Sequence, residues 1–225
     1  HALLPELGQQ LAAGQGVAHV LLGDGATLVA HHPGALVQEA IRAAELTGGA
    51  YSPAVGALVS AYDLRGDGRW PTEAELRRAV ALARPRGVHY DPRTRELLLD
   101  AGVTLDLDGI AKGFALDRAA AALRARGVED ALLNFGGQLL VIGPSDGESA
   151  REALVGSPFD PSASVLSIRI RDASLSTSAN TERARLVAGK EAGHLLDPRT
   201  GELVRLSGSV TVLASTGALA DALST

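Results

Sequence analysis

The stretch from Val103 to Gly127, V-T-L-D-L-D-G-I-A-K-G-F-A-L-D-R-A-A-A-A-L-R-A-R-G, constrains the chain most. Val103, Leu105 and Leu107 alternate with Thr104, Asp106 and Asp108, which predicts a half-buried strand. Gly109 and Gly113 then predict a turn into a helix with Phe114, Ala119, Ala122 and Leu123 along one side. Arg124 and Arg126 suit the negative end of that helix, and Gly127 ends it. A strand that delivers Gly-Ile-Ala-Lys-Gly to a helix start offers backbone N–H groups, one cation and a positive dipole end, the makings of an anion or phosphate site. A purely structural strand–Gly–helix turn has the same pattern. Neither a Walker loop nor a G-x-G-x-x-G dinucleotide turn is present. Two acids beside the lysine call for a metal or a hydroxyl-rich ligand between them and any phosphate.

Other elements arrange themselves around this one. Leu3–Leu11 and Val17–Leu22 are short apolar segments separated by Gly14-Gln15-Gly16; the second predicts a hairpin through Gly23-Asp24-Gly25 into Thr27–Ala30, and His31-His32 reads as loop or as half of a metal site, the loop favoured because no acid is near. From Pro33, Leu36, Val37, Ala40, Ile41 and Ala44 share a helical face that ends at Gly48-Gly49. Thr72-Glu73-Ala74-Glu75 is a capping box ahead of Leu76, Val80 and Ala83. H-Y-D-P-R-T-R-E-L-L-L at His89–Leu99 reads as a hairpin, because Asp-Pro-x-Thr is good turn chemistry. Ala131–Ile142 reads as two strands bent at Gly136-Gly137. Residues 143–163 read as a mobile excursion, Val165–Ile170 and Val210–Ala214 as strands, and Ser174–Thr181 as a hydroxyl-rich tight turn suited to phosphate or ribose, or a plain turn. A helix starts at Thr216 and carries Asp221 and Thr225 at i, i+4 on one face. That carboxylate–hydroxyl pair suits Mg²⁺ rather than zinc; an Asp merely favoured in a first turn is the alternative. His194 is either a base working near neutral pH or a structural histidine.

Composition narrows the partners. The 225 residues are 46% hydrophobic with a formal charge of −5 and a mean hydropathy of +0.12. That describes a globular chain of one domain or a compact pair, with no reason to expect nucleic acid or an anionic membrane as partner. No apolar run approaches the roughly 18 residues of a membrane span. Cysteine is absent, which excludes disulfides and thiolate chemistry. Methionine is absent too and the first residue is His, so a processed or trimmed product is expected.

Four blocks in order resemble the ApbE-type FAD:protein FMN transferases. D-L-D-G-I-A-K-G-F-A-L-D resembles the family's D-L-G-G-I-A-K-G-Y-A-V-D; T-G-G-A-Y-S-P-A-V-G-A-L-V resembles T-G-G-A-F-D-P-T-V-G-P-L-V; G-H-L-L-D-P-R-T-G resembles G-H-I-I-D-P-R-T-G; and A-D-A-L-S-T matches A-D-A-L-A-T. Asn134, Gly136 and Gly137 match an N-x-G-G. S-T-S-A-N-T resembles S-T-S-G-x-Y, with Ala179 and Thr181 replacing Gly and Tyr, and Ser52 stands where the family has Asp. The resemblance implies an α+β fold, a mixed β-sheet with packed helices (T-fold-like), in one domain over 1–225 that is shorter than the family at both ends. It implies Mg²⁺-dependent transfer of FMN from FAD to a Thr or Ser hydroxyl of an acceptor flavoprotein, with release of AMP. Carried over, His194 is the base; Ala50, Tyr51, Ser52, Asp106, Lys112, Ser176, Thr177 and Leu195 contact FAD; and Gly109 (through its carbonyl), Asp221, Ser224 and Thr225 hold the metal. Asn134 is expected to brace the central turn. A bacterial protein acting outside the cytoplasmic membrane is implied by family. An FAD pyrophosphatase and a non-catalytic FAD-binding protein are the alternative functions.

Overall fold

The structure is a computed structural model that describes residues 18–21, 27–30, 33–143, 150–160, 162–179, 185–187, 190–204 and 208–225. The apolar segment Leu3–Leu11, the Gly14-Gln15-Gly16 break, the Gly23-Asp24-Gly25 turn, His31-His32 and Thr181 lie outside them. Two compact units result. The first takes in the described chain up to Asp108 with 186–191 and 196–203; the second takes in 109–185, 192–195 and 204–225.

In the first unit, β1 (Ala18–Leu21) pairs antiparallel with β2 (Thr27–Ala30). Helix α1 (Pro33–Leu46) buries Leu36, Val37, Ala40 and Ala44 as its apolar spacing predicts, and also Ala43, whereas Ile41, expected on that face, is only half-buried. Helices α2 (Gly56–Ala61) and α3 (Glu73–Leu82) close over Leu58, Ala61, Ala79 and Ala83, with Leu76 and Val80 against them. The capping box is formed: Glu75 N donates to Thr72 Oγ1 at 3.3 Å and Thr72 N to Glu75 Oε2 at 2.7 Å. β3 (Val88–Asp91) and β4 (Glu96–Leu99) make the expected hairpin.

The strand expected over Val103–Leu107 is absent. Its alternation is real, but it finds only the loop around Val55 as a partner. One parallel bridge, Val55 to Thr104, and two bonds, Gly56 N to Thr104 O at 3.1 Å and Asp106 N to Pro53 O at 2.9 Å, hold it extended.

The second unit is built on a four-stranded antiparallel sheet in the order β12 (Ser209–Ala214), β9 (Ala173–Ala179), β6 (Gln138–Ile142), β5 (Ala131–Phe135). Helix α4 (Asp108–Arg124) lays Leu116 and Ala120 on Leu140 and Ile142. The short α5 (Gly217–Ser224) packs on β9 and β12. Behind the sheet, β7 (Arg151–Gly156) and β8 (Ser164–Ile170) form a hairpin whose Ala153, Val155 and Ile170 join Val141 and Leu175 in a second core. β10 (Arg185–Val187) pairs with β11 (Lys190–Ala192), a hairpin whose residues 186–191 belong to the first unit.

Several expectations are corrected here. The 143–163 excursion contains β7, whose two inward residues hide a strand among polar neighbours. Helix α4 starts at Asp108 rather than after Gly113, so both glycines are helical; Ala119 and Ala122 are exposed, and Ile110, Ala111, Gly113, Leu116 and Ala120 form the buried face with Phe114. Ser174–Ala179 is not a turn but strand β9 inside the sheet. Asn134 does not brace the central turn: its Oδ1 accepts from Gly137 N at 3.1 Å, closing its own hairpin, where Gly136 and Gly137 both take positive φ (56° and 85°).

Candidate functional site

The second unit brings the central block and the C-terminal block together at a seam between α4 and α5. A methyl group on Gly113 would fall on the Gly217 carbonyl and lie 2.7 Å from Ala218 N, so only glycine lets the two backbones touch. One turn further along α4, Asp117 accepts the N–H groups of Gly217 (2.6 Å) and Ala218 (2.9 Å), and Thr216 Oγ1 accepts from Leu219 N at 3.3 Å. The positive end of α5 is therefore satisfied from within the protein. Gln138 Nε2 donates to Gly217 O at 2.8 Å from the sheet side.

This clamp fixes Asp221, which sits one turn into α5 and not in its first turn, setting aside the helix-start reading of that residue. Its side chain is 1% exposed. Oδ2 accepts the backbone N–H of Gly113 at 3.0 Å, and Oδ1 accepts from Lys112 Nζ at 3.0 Å. The pair is charge-assisted, and the lysine satisfies a carboxylate that would be costly to bury alone. Gly109 packs on Thr225, where a methyl group would meet Thr225 Cγ2 at 2.9 Å and Oγ1 at 3.2 Å.

Thr225 Oγ1 donates to the Asp221 backbone carbonyl at 3.0 Å, so the carboxylate, hydroxyl and carbonyl of Asp221, Thr225 and Gly109 are oxygen donors supplied by neighbouring residues. A backbone carbonyl carries two lone pairs, so the Gly109 carbonyl keeps capacity for a ligand beside any helical bond. Among the described residues no three His, Cys, Asp or Glu side chains converge on a metal-sized site. A single carboxylate with neutral oxygens fits Mg²⁺, which is commonly held by one or two carboxylates plus substrate phosphates and water. Ser224 points the other way: its hydroxyl bonds Ser176 Oγ at 3.0 Å, Ser178 Oγ at 3.2 Å and Asp221 O at 3.0 Å, tying α5 to β9. Ser176 is correspondingly buried, whereas Thr177 is exposed and bonds Thr211 Oγ1 at 2.9 Å.

In the first unit, Ala50 is exposed and Tyr51 is buried, its backbone N–H bonded to Thr47 Oγ1 at 3.0 Å. Ser52, 2% exposed, donates to Ala83 O at 2.7 Å and accepts from Ala54 N at 3.1 Å; its hydroxyl holds the end of α3. Asp106 accepts from Arg65 Nη2 at 2.6 Å and from Asp108 N at 3.1 Å, so one carboxylate joins the Arg65 loop to the residue that opens α4. Arg65 also reaches Asp108 Oδ2 at 3.3 Å. Burial alone would lower the guanidinium pKa; the Asp106 carboxylate, aided by Asp108, outweighs it and holds Arg65 above its ordinary value.

His194 is half-buried with Nδ1 shielded from solvent. Leu195 is buried and its carbonyl accepts from Val204 N at 2.8 Å. The D-P-R-T-G that follows is a structural anchor. Asp197 Oδ1 accepts from Arg199 N at 2.9 Å, and Gly201 N returns to Asp197 O at 2.7 Å. Gly201 has φ +76°, and a methyl group there would come within 2.5 Å of Val80 and 2.8 Å of Leu76. Tyr62 OH donates to its carbonyl at 2.9 Å.

Sequence reasoning missed Arg65, Asp117 and Gln138. Arg65 carries no sequence signal, lying in a loop of Arg, Gly and Asp. Asp117 did: it shares a face with Gly113, i to i+4, in a block already under suspicion.

The ApbE family model matches residues 23–225. The chain belongs to the ApbE family. Among ApbE relatives, the FAD:protein FMN transferase of Rhodobacter capsulatus is 37% identical over 186 residues, covering 79% of this chain and 34% of that protein. The enzyme of the same name from Treponema pallidum is 32% identical over 209 residues, covering 85% and 58%. The crystal structure of the ApbE protein of Thermotoga maritima superimposes with a TM-score of 0.77 at 34% identity, covering 85% of this chain and 63% of that one. The apo flavinyl transferase ApbE of Pseudomonas stutzeri gives 0.72 at 26% identity, covering 84% and 60%. The α+β architecture is thus the ApbE fold. The chain spans from about a third to under two thirds of the length of these four ApbE proteins.

Proposed function

We propose that this chain carries the active centre of an FAD:protein FMN transferase. An acceptor Thr or Ser oxygen forms a bond to the FMN phosphorus of FAD, the bridging P–O bond breaks, and AMP leaves with that bridging oxygen. The observation that carries the reading is the Lys112–Asp221 pair at 3.0 Å, with Gly109 packed on Thr225 and the Thr225 hydroxyl bonded to the Asp221 backbone carbonyl. Residues from two separate blocks meet as one oxygen-rich, singly carboxylated site with an adjoining cation.

Asp221, Thr225 and the Gly109 carbonyl would hold Mg²⁺, whose charge neutralises the diphosphate when bound. Lys112 adds a second positive charge toward the phosphates. His194 takes the proton of the acceptor hydroxyl; its shielded Nδ1 leaves Nε2 as the atom for that transfer. The names of the relatives, each an FAD:protein FMN transferase, support the substrate and the acceptor class.

A general base contributes in the transition state and little to ground-state binding. His194→Ala should therefore bind FAD with Mg²⁺ nearly as well as the unmodified chain and lose about 10²- to 10⁴-fold in transfer rate. A variant that transfers at the unmodified rate contradicts the assignment.

A further inference from the structure

We propose that Lys112 makes the Asp221 site selective for a divalent cation accompanied by an anionic diphosphate, by occupying the carboxylate until such a ligand takes its ammonium. The inference rests on the reading of Asp221 as a metal ligand and adds what Lys112 does to it.

Asp221 has two oxygens and both are engaged. Oδ2 is held by a backbone N–H of α4, which cannot leave without unwinding the helix. Oδ1 is held by Lys112 Nζ, a mobile side-chain group. Each oxygen keeps a second lone pair, but a cation on either one lies within a few ångströms of the Lys112 ammonium, and on Oδ1 it competes with it directly. The burial is asymmetric as well: the Asp221 side chain is 1% exposed and that of Lys112 is 29% exposed. The carboxylate stays in place while the lysine has a route outward.

An ionised carboxylate at this depth is costly to leave without a positive partner, so exchanging one cation for another is easier than leaving it bare. Exchange has its own condition. A divalent ion on Oδ1 repels the displaced ammonium, and that repulsion falls only if Lys112 finds an anion. A diphosphate supplies one and also offers oxygens to the cation.

The residue type fits the role. The sequence has two lysines, Lys112 and Lys190, all its other basic residues apart from histidine being arginine. An arginine fork would grip the carboxylate bidentately, whereas an ammonium is a compact charge on a flexible stem that releases and re-forms its bonds singly. The stem has room, for it runs past Gly136, where a methyl group would reach its Cδ at 3.7 Å.

The test is Mg²⁺ titration of the chain by calorimetry, with and without saturating FAD, in the unmodified protein, Lys112→Gln and Asp221→Asn. The unmodified protein should bind Mg²⁺ about 10- to 100-fold tighter with FAD, in the ordinary range of coupling between two ligands. Lys112→Gln should bind Mg²⁺ without FAD about tenfold tighter than the unmodified protein, and FAD should then add less. A lysine serving the phosphate alone would leave Mg²⁺ affinity without FAD unchanged or lower, and that result overturns the inference while leaving the metal site standing. Should Lys112→Gln fail to fold, ¹³C-lysine spectra of the unmodified protein decide the matter, since there are two signals to assign. Saturating Mg²⁺ must shift the Lys112 signal; Mg²⁺ that binds through Asp221 with that signal unmoved also overturns it. No Mg²⁺ binding even with FAD, equal in Asp221→Asn, overturns the metal reading and this inference together.

Discussion

Gly113 and Gly217 meet backbone to backbone, the Gly113 α-carbon lying against the Gly217 carbonyl where no side chain fits. This contact sets the distance at which Asp221 can receive the Gly113 N–H. Gly113→Ala should separate α4 from α5 at a cost of about 3 kcal/mol, the upper end of overpacking penalties because the obstacle is backbone. For a chain of this size that is a fall of roughly 6–12 °C in melting temperature, measured by calorimetry. An unchanged melting temperature would contradict the close crossing.

Asp117 holds the first turn of α5 by two N–H groups. Asp117→Ala should lose about 0.5–2 kcal/mol, as other helix caps do. Because α5 carries Asp221, the variant should also bind Mg²⁺ with FAD more weakly. Asp117→Asn, which keeps one acceptor, should fall between the two proteins in both measurements.

The Asp-Pro-Arg-Thr sequence occurs twice, and the structure makes the same turn both times: Arg95 N returns to Asp91 O at 2.8 Å and Gly201 N to Asp197 O at 2.7 Å. The fifth residue takes positive φ in each, Arg95 at 63° and Gly201 at 76°. Gly201 is buried against Val80 and Leu76, whereas Arg95 is exposed. Arg95→Gly should therefore change stability by less than about 0.5 kcal/mol, since relief of the backbone strain offsets the added freedom of the unfolded chain. Gly201→Ala should lose about 2–4 kcal/mol through strain and collision together. Equal effects in denaturant titrations would contradict this account of the turn.

What the sequence made legible follows from how local each signal is. The capping box at Thr72, the helical face from Leu36 to Ala44 and the hairpin at His89–Leu99 depend on neighbours a few residues away, and they stand as read. The start of α4 is not legible in sequence because glycine reads as a breaker when its partner is unknown; Gly113 is there for Gly217, which lies 104 positions on in the numbering. Strand β9 reads as a turn in sequence because Ser174, Ser176 and Ser178 are polar, yet α5 supplies Ser224 as a hydroxyl partner for the last two and Leu139 O accepts from Ser174 at 2.7 Å. The site residues came from ordered blocks resembling the family. That Lys112 and Asp221 touch needed the fold.

Asp197 gives a pH dependence. The Arg199 side-chain hydrogen bonds hold its carboxyl below the ordinary value in the folded chain, against a smaller opposing effect of burial. A lowered folded pKa contributes stability that is present above the unfolded value of about 3.9 and is lost as pH falls through the folded one. Arg199→Ala should therefore be slightly less stable than the unmodified chain at neutral pH, the effect being small because Arg199 is largely exposed. The difference from the unmodified chain should vanish at a pH below both values. A difference that persists undiminished in acid would assign the effect to packing instead.

The central claim is that the Lys112–Asp221 seam, with His194, serves transfer of FMN to a protein. The direct measurement is mass spectrometry of a proven acceptor flavoprotein after incubation with this chain, FAD and Mg²⁺. The account predicts an acceptor heavier by one FMN less a water, AMP released in equal amount, and neither product from Asp221→Asn at limiting Mg²⁺. Free FMN with an unlabelled acceptor would mean that water takes the hydroxyl's place, and bound FAD with no product at all would mean a binding protein; either result contradicts the claim.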